Sequence, residues 1–331
     1  MRHRLPASIL GAAAMAVLFL GPVPGQQNRR PQVKASKGWV APKTPDGVPD
    51  LQGVWSNATV TPLQRAANLA DKPFFTEAEA QAFERDAVSR NNADVRGATA
   101  AADVGTAYNA LWYDRGNQVV PTLRTSLIID PPDGRIPALT DEGRRLQAER
   151  AAERRTRGPA DGPESRSLAE RCVVWPNAGP PMVSSFYNNN YKITQGSGYV
   201  AILVEMIHDV RIIPTDGRAH LPANIRPWLG DPVGHWEGDT LVVETTNFNP
   251  ETNYQGSSQN MKLTERFRRV SQDVLMYEFT VDDPAFTKPW TAQIPMSPGE
   301  GAVYEYACSE GNLAMTGMLA GARADEKAAS R

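Results

Sequence analysis

The chain of 331 residues predicts a mainly β fold, an antiparallel barrel accompanied by two helices from its N-terminal part. Closely spaced apolar runs fill its second half, and short turn sequences separate most of them. The 26 glycines and 27 prolines suit many turns better than long helices. A barrel of about eight strands has room inside for side chains or for one small ligand.

The first residues have the composition of a secretory signal. A charged start precedes the apolar run Ile9–Leu20, which is too short to cross a bilayer, and small or turn residues follow it. We expect residues 1–25 to be a cleaved signal peptide, and the protein to be exported, periplasmic or secreted, without a membrane span. An uncleaved N-terminal anchor is the alternative. A polar, Pro- and Lys-rich disordered tail is expected over residues 26–50.

Residues 51–325 are expected to form one domain, whose portion 51–158 mixes strands with two helices. Leu51–Val60 is typical of a strand. A capping-box sequence at Thr76 predicts a helix to about Ser89. Two elements follow, namely a pair of short strands around the Pro-Asp-Gly turn in 125–136 and a second helix from Thr140 to about Arg157, whose alternating Glu and Arg are typical of a solvated face.

The main antiparallel sheet is expected within residues 171–310. Alternation of apolar and polar residues is clearest around Val274–Val281, where one face carries Leu, Tyr, Phe and Val. Eight strands are predicted there: Tyr191–Gln195, Tyr199–Met206, His208–Ile213, Thr240–Phe248, Leu263–Val270, Val274–Val281, Trp290–Met296 and Val303–Cys308.

Charge and cysteine content narrow the class of protein. A net charge of −2 argues against a nucleic-acid partner, which needs a basic field. In an oxidising compartment the two cysteines, Cys172 and Cys308, are expected to form one disulfide, with Cα atoms within about 7 Å. By loop entropy such a bond stabilises the fold by at most about 5 kcal/mol. Two buried free thiols are the alternative.

Three of the four histidines lie between His208 and His235, among acids and arginines. Histidine is the side chain that titrates nearest neutral pH, which makes this stretch the candidate site. Strand alternation places Glu205, Asp209 and Arg211 on one face and His208 on the other, unless a bulge turns the histidine round. The candidate catalytic set is therefore His208 as acid or base, Glu205 or Asp209 as its orienter, and Arg211 as stabiliser of negative charge.

The alternative interpretation of these residues is structural, with an Asp209–Arg211 ion pair and a histidine at the barrel rim. Substrate contacts are expected from polar and aromatic side chains in nearby segments, although the Asn-rich stretch is more typical of a turn. The candidate binding residues are Tyr187, Asn189, Tyr191, Arg218, His220 and Trp228.

Motifs for a cofactor are absent from the sequence. It contains no P-loop, Gly-x-Gly-x-x-Gly or Cys-x-x-Cys-His pattern, so we expect chemistry without a nucleotide, haem or metal cofactor. The pattern Gly-x-Ser-x-Gly is also absent, which argues against the usual serine hydrolases. A zinc site built from the histidines and Asp209 is the alternative, but no ligand spacing fixes its geometry.

Five segments resemble a family of exported bacterial proteins that are mostly uncharacterised, so the resemblance implies no activity. They are Thr44–Trp55, Arg124–Arg135, Glu205–Asp209, Trp236–Glu244 and Tyr304–Cys308. Gly53-Val-Trp55 and the Gly-Asp hairpin before Thr240 resemble lipocalin-like (calycin) barrels, which implies a barrel of that kind.

Two functional classes follow from the sequence. The first is a cofactor-independent periplasmic enzyme, a lyase, isomerase or hydrolase that uses acid–base chemistry on a small, partly apolar molecule. The second is a barrel that only binds such a molecule, as a carrier or scavenger. An enclosed pocket that holds His208 beside a carboxylate favours the first class, and a purely apolar cavity favours the second.

Overall fold

The structure is a computed structural model that describes residues 39–95, 97–99, 102, 109–158, 160–176, 178–299 and 301–330. The expected signal peptide and most of the expected tail lie outside these residues. Within the described ranges, no helix is both long and apolar enough to cross a bilayer.

Antiparallel β structure dominates, as the sequence predicts. The strands are β1 (Gly53–Ser56), β2 (Ile128–Asp130), β3 (Asn190–Gly196), β4 (Tyr199–Val204), β5 (Val210–Pro214), β6 (Asp231–Glu237), β7 (Thr240–Thr246), β8 (Lys262–Ser271), β9 (Val274–Asp282) and β10 (Trp290–Pro298). The helices of the described part are α1 (Glu77–Arg90), α2 (Asp141–Thr156) and α3 (Leu313–Ala329).

Nine strands follow one another in the order β5-β4-β3-β1-β10-β9-β8-β7-β6, and β2 pairs with β10 beside this path. The short β1 joins two meanders: Trp55 lies opposite Tyr191 of β3 on one side and opposite Pro298 of β10 on the other. The edge of β10 is thus shared, because its first half pairs with β2 and its end pairs with β1.

The two ends of this order, β5 and β6, face each other, so the sheet forms a nearly closed barrel. No hydrogen-bonded register joins β5 to β6 in the residues that the structure describes. Close packing holds this seam instead. A Cβ at the buried Gly234 of β6 would lie 2.9 Å from Cγ2 of Ile213 and 3.2 Å from Cγ2 of Thr215.

The barrel interior is filled with side chains that alternate along the strands. On β9, Leu275, Tyr277, Phe279 and Val281 are all 0% exposed, which confirms the face predicted from the sequence. Aromatic rings from β8, β9, β10 and a preceding loop contact one another, with centroid distances between 5.0 and 6.4 Å in the set Phe267, Tyr277, Phe279, Trp290, Tyr254 and Phe286.

Both N-terminal helices begin at threonine caps. The Thr76 side chain accepts from the backbone N–H of Glu79, whose carboxylate in turn accepts from the Thr76 N–H. Thr140 caps α2 and also donates its hydroxyl to the carbonyl of Pro284, which attaches α2 to the loop between β9 and β10.

Several predicted elements differ from the structure. The strand predicted at Val303–Cys308 is wrong: this segment is irregular, because its tyrosines and disulfide attach it to loops rather than to a strand edge. The predicted pair of strands in 125–136 is a single short strand, β2. Helix α3 was not predicted, and none of its residues is buried.

The close approach at the seam predicts that a side chain at Gly234 destabilises the barrel. We expect Gly234→Val to lower the free energy of unfolding by about 1–3 kcal/mol, because the added methyl groups collide with β5. Urea unfolding measures this, and His235→Val is the control, since that neighbour is exposed. Equal stabilities of the two variants would contradict the packing at the seam.

Candidate functional site

The expected catalytic stretch lies in a tight turn between β4 and β5. A single 3-10 turn spans Met206–His208, with positive φ angles of 61° at Ile207 and 49° at His208. Non-glycine residues rarely adopt this conformation, least of all β-branched ones. Burial of Met206 and Ile207 stabilises the turn, and it leaves His208 exposed at the end of the barrel.

The turn separates the four residues of the expected catalytic set. Glu205 is buried and accepts a 2.8 Å hydrogen bond from the side chain of Asn190. The His208 Nδ1 lies 2.7 Å from the carbonyl oxygen of Tyr306, so Nδ1 is the donor and a neutral ring keeps its lone pair on Nε2. Burial raises the pKa of Asp209, and the nearby His208 partly offsets this.

Arg211 lies inside the barrel, paired with a residue that the sequence analysis missed. Its guanidinium binds both carboxylate oxygens of Glu265 on β8, one of them at 3.0 Å. The two side chains are 2% and 0% exposed. Burial alone would lower the pKa of Arg211, but the charge of Glu265 outweighs it and raises this pKa. A role for Arg211 in contacting a bound molecule has no support from this position.

Two tyrosines extend the buried pair into a polar network. The Tyr277 hydroxyl donates to Glu265 at 2.8 Å and accepts from the backbone N–H of Met182 at 3.0 Å. Tyr191, one of the expected binding residues, is also buried, and its hydroxyl accepts from the Asn57 amide at 3.3 Å. Burial raises the pKa of both tyrosines, so both stay neutral donors. These residues hold the barrel together rather than line its surface.

Tyr187 is the expected binding residue that does line a cavity. The aromatic cavity, as we name it, has a volume of about 250 Å³ and is lined by Trp112, Tyr113, Tyr187, Asn188 and Tyr306. The ring of Tyr187 stacks on Tyr306 at 6.2 Å and lies 6.4 Å from Tyr113. Trp112 is 67% exposed, so the cavity opens to solvent through an apolar ring.

Hydrogen bonds of Asn189 join the loops that carry these rings. Its side chain accepts from the backbone N–H of Ser185 at 2.7 Å and donates to the carbonyl of Asp114. The backbone N–H of Asp114 donates to Phe186 at 3.0 Å. Asn189 therefore positions Tyr187 and Tyr113 relative to each other, which is the turn role that Asn residues often have.

The disulfide attaches the third part of the aromatic cavity. Cys172 and Cys308 are bonded with their Cα atoms 5.6 Å apart, as predicted. The bond connects the loop that carries Trp175 to the segment that carries Tyr306, and the Trp175 ring lies 6.3 Å from Tyr187. A second attachment of this segment is a long contact of 3.4 Å from the Tyr304 N–H to Glu205.

Two of the remaining expected binding residues, Arg218 and His220, surround a different carboxylate. Asp231 is 2% exposed and accepts from Arg218 at 2.6 Å, from the Leu221 N–H at 2.8 Å and from His220 Nδ1 at 2.9 Å. Burial alone would raise the pKa of Asp231, but these hydrogen bonds outweigh it and lower this pKa. This cluster holds the loop between β5 and β6 against the start of β6.

The three histidines have three different partners. His235 contacts Glu237 at 3.1 Å, His220 contacts Asp231 and His208 contacts a backbone carbonyl. Among the described residues there is no group of three or more His, Cys, Asp or Glu able to hold a metal ion. Trp228 lines a small cavity of about 70 Å³ together with Trp175 and Tyr254.

Sequence reasoning missed most residues of the aromatic cavity. It identified Tyr187, but not Trp112, Tyr113 or Tyr306, which come from segments far apart in the chain and outside the strands. The density of aromatic residues in these segments is the signal that was available, since aromatic side chains dominate the contact energy of interfaces.

Comparisons of the chain with protein-family models, with curated proteins and with solved structures find no match.

The buried pair predicts a double-variant result. Arg211→Met leaves the Glu265 charge without a partner, so we expect unfolding to become easier by about 3–5 kcal/mol. Arg211→Met combined with Glu265→Leu removes both charges and is expected to recover most of that loss. Chemical denaturation of both variants and of the exposed control Arg268→Met tests this; a double variant as unstable as the single one would contradict the pairing.

The lowered pKa of Asp231 predicts a pH-dependent contribution to stability. The folded state holds this proton more weakly than the unfolded state, so the stabilisation is complete above the unfolded pKa of about 3.9 and is lost as the pH falls through the lower folded value. We expect Asp231→Asn to destabilise the protein by about 1–3 kcal/mol at pH 7, and less below pH 4.

Thermal unfolding between pH 7 and pH 3 measures this difference, with Asp239→Asn on an exposed turn as the control. A gap between wild type and Asp231→Asn that stays constant over the whole pH range would contradict it.

Proposed function

We propose that the protein binds a small, partly apolar molecule in the aromatic cavity. The observation that carries this proposal is the convergence of Trp112, Tyr113, Tyr187 and Tyr306 around about 250 Å³ that opens to solvent. Apolar walls with a few polar groups are typical of small-molecule sites, although this volume lies just below their usual range. The ligand is therefore small, of one or two rings.

The chemistry of the walls favours a flat ligand with hydroxyl groups. Rings in offset or edge contact contribute about 0.5–1.5 kcal/mol beyond the burial of area, and the rings here are spaced for such contacts. The hydroxyls of Tyr187 and Tyr306 lie 3.5 Å apart, and the Asn188 amide is beside them. These groups suit the hydroxyls of a phenol or a sugar ring.

In the regions described here, the barrel interior is not an alternative site for the ligand. Its inward-facing residues on β8 and β9 are fully buried against one another, and the buried Arg211–Glu265 pair occupies part of its volume. We propose a barrel of the lipocalin-like kind, with two helices outside it, that binds its ligand among loops at one end.

Replacement of Tyr187 tests the binding site. We expect phenol, catechol or methyl glucoside to change the fluorescence of Trp112 and Trp175, and Tyr187→Leu to weaken binding about tenfold because it removes the central ring. Tyr199→Leu, an exposed tyrosine of β4, is the matched control and is expected to bind like wild type. Absence of any response from the panel, or unchanged affinity in Tyr187→Leu, would refute the proposal.

Acid–base chemistry by His208 is the second candidate function. The hydrogen bond from its Nδ1 to the carbonyl of Tyr306 fixes the ring next to a residue of the aromatic cavity and leaves Nε2 as the proton acceptor. In this proposal the protein is a lyase, isomerase or hydrolase that uses no cofactor, and His208 is its general base. Asp209 is the next residue in the chain, and its carboxylate interacts electrostatically with His208.

His208→Asn separates this enzyme from a carrier. Asparagine tolerates the positive φ at this position and keeps polarity, so folding is expected to remain nearly unchanged. We expect turnover of the bound molecule, followed by mass spectrometry, to fall about 100-fold or more. His235→Asn is the control, since that ring is exposed and pairs with Glu237. Full turnover in His208→Asn would leave only the binding function.

We also propose that the protein is exported and belongs to the family of exported bacterial proteins that it resembles. The disulfide supports an oxidising compartment, in which such bonds persist.

A further inference from the structure

We propose a second binding site, a groove beside the aromatic cavity that takes an apolar molecule bearing one carboxylate. The arginine groove, as we name it, has a volume of about 660 Å³, within the range of sites that hold small organic ligands. It is distinct from the aromatic cavity, and its ligand does not depend on the function proposed above.

The walls of the groove are mostly apolar, and three segments supply most of them. Leu63 and Leu69 precede α1, Phe83 lies on α1 itself, and Val183 belongs to the segment that leads to Tyr187. Such a wall favours a hydrocarbon chain or ring, because the removal of apolar surface from water stabilises the complex.

Charge gives the groove its selectivity. Arg90 and Arg115 are the charged residues among its lining, and no acidic residue is part of the described lining. The hydroxyl of Ser184 lies in the same wall and is a further donor for an anion, whereas the Thr59 hydroxyl already donates to the carbonyl of Gln118 at 2.9 Å. An apolar wall with two guanidinium groups complements a molecule with a long apolar part and one negative group.

Arg115 is held in position without a carboxylate partner in the described part of the chain. Its guanidinium lies over the ring of Tyr113 at 4.2 Å and over the ring of Phe186 at 4.8 Å. Its Nε is buried and makes no hydrogen bond. A buried donor of a charged group without an acceptor is costly, and a ligand carboxylate that approaches this guanidinium would remove that cost. Arg90, by contrast, pairs with Asp86 at 3.2 Å at the exposed edge.

Calorimetric titration of the purified protein with decanoate, decan-1-ol and decyltrimethylammonium tests this site. We expect decanoate to bind at least about tenfold more tightly than the neutral alcohol, and the cation not to bind. Equal affinities for decanoate and decan-1-ol would overturn the role of the arginines, and absence of decanoate binding would overturn the site.

Variants then locate the binding. Arg115→Gln is expected to weaken decanoate about tenfold or more while the affinity for decan-1-ol changes little. Arg135→Gln, an exposed arginine outside the groove, is the matched control. Because Arg115 also stacks on two rings, a second variant blocks the groove from its other side: the exposed Ala66 is part of the wall, and Ala66→Phe is expected to abolish the binding of both decanoate and decan-1-ol.

Tyr187→Leu keeps this test separate from the aromatic cavity. It is expected to leave decanoate affinity unchanged while it weakens the phenols and sugars. Decanoate binding that survives Arg115→Gln and Ala66→Phe, or that is lost in Tyr187→Leu, would overturn the arginine groove as the site without deciding the function of the aromatic cavity.

Discussion

A guanidinium and a carboxylate bind each other across the inside of this barrel, and much of the structure depends on them. Arg211 belongs to β5, one end of the strand order, while Glu265 belongs to β8, close to the other end. Their pairing therefore connects these two parts of the strand order through the interior of the barrel. Through the Tyr277 hydroxyl the same carboxylate is connected to the backbone at Met182. The segment that follows Met182 carries Ser184 and Phe186 of the arginine groove and Tyr187 of the aromatic cavity, so the hydrogen bond at Met182 connects this segment to the buried pair.

Local patterns were enough to predict most of the sheet, although β6 was not among the predicted strands. Alternation along β9, the turns between strands and the threonine caps of α1 and α2 each depend on residues close in sequence, and the structure has these elements within a few residues of the predicted bounds. The disulfide was predictable because two cysteines leave one pairing. Val303–Cys308 shows the limit of such patterns: its alternation resembles a strand, but the structure has no regular element there.

The candidate site was harder to predict, because it depends on side-chain direction and on distant segments. Alternation placed Arg211 beside Asp209, whereas the positive φ angles at Ile207 and His208 interrupt the strand and send Arg211 inward to Glu265. The sequence around Arg211 does not indicate that its partner, Glu265, lies 54 residues away. The same is true of the aromatic cavity, in which Tyr113, Tyr187 and Tyr306 meet although long stretches of chain separate them.

The position of β1 has a consequence for the way the chain assembles. This strand is the first in sequence, yet it lies between β3 and β10, and its partner Pro298 is 243 residues beyond Trp55. During synthesis, the edge of β1 that pairs with β10 therefore has no partner until β10, the last strand, has been made. Pairings so distant in sequence form slowly, since the loop they close costs entropy before any contact rewards it. An open strand edge can pair with other chains and cause aggregation, so the proteins that bind the unfinished polypeptide must shield this edge.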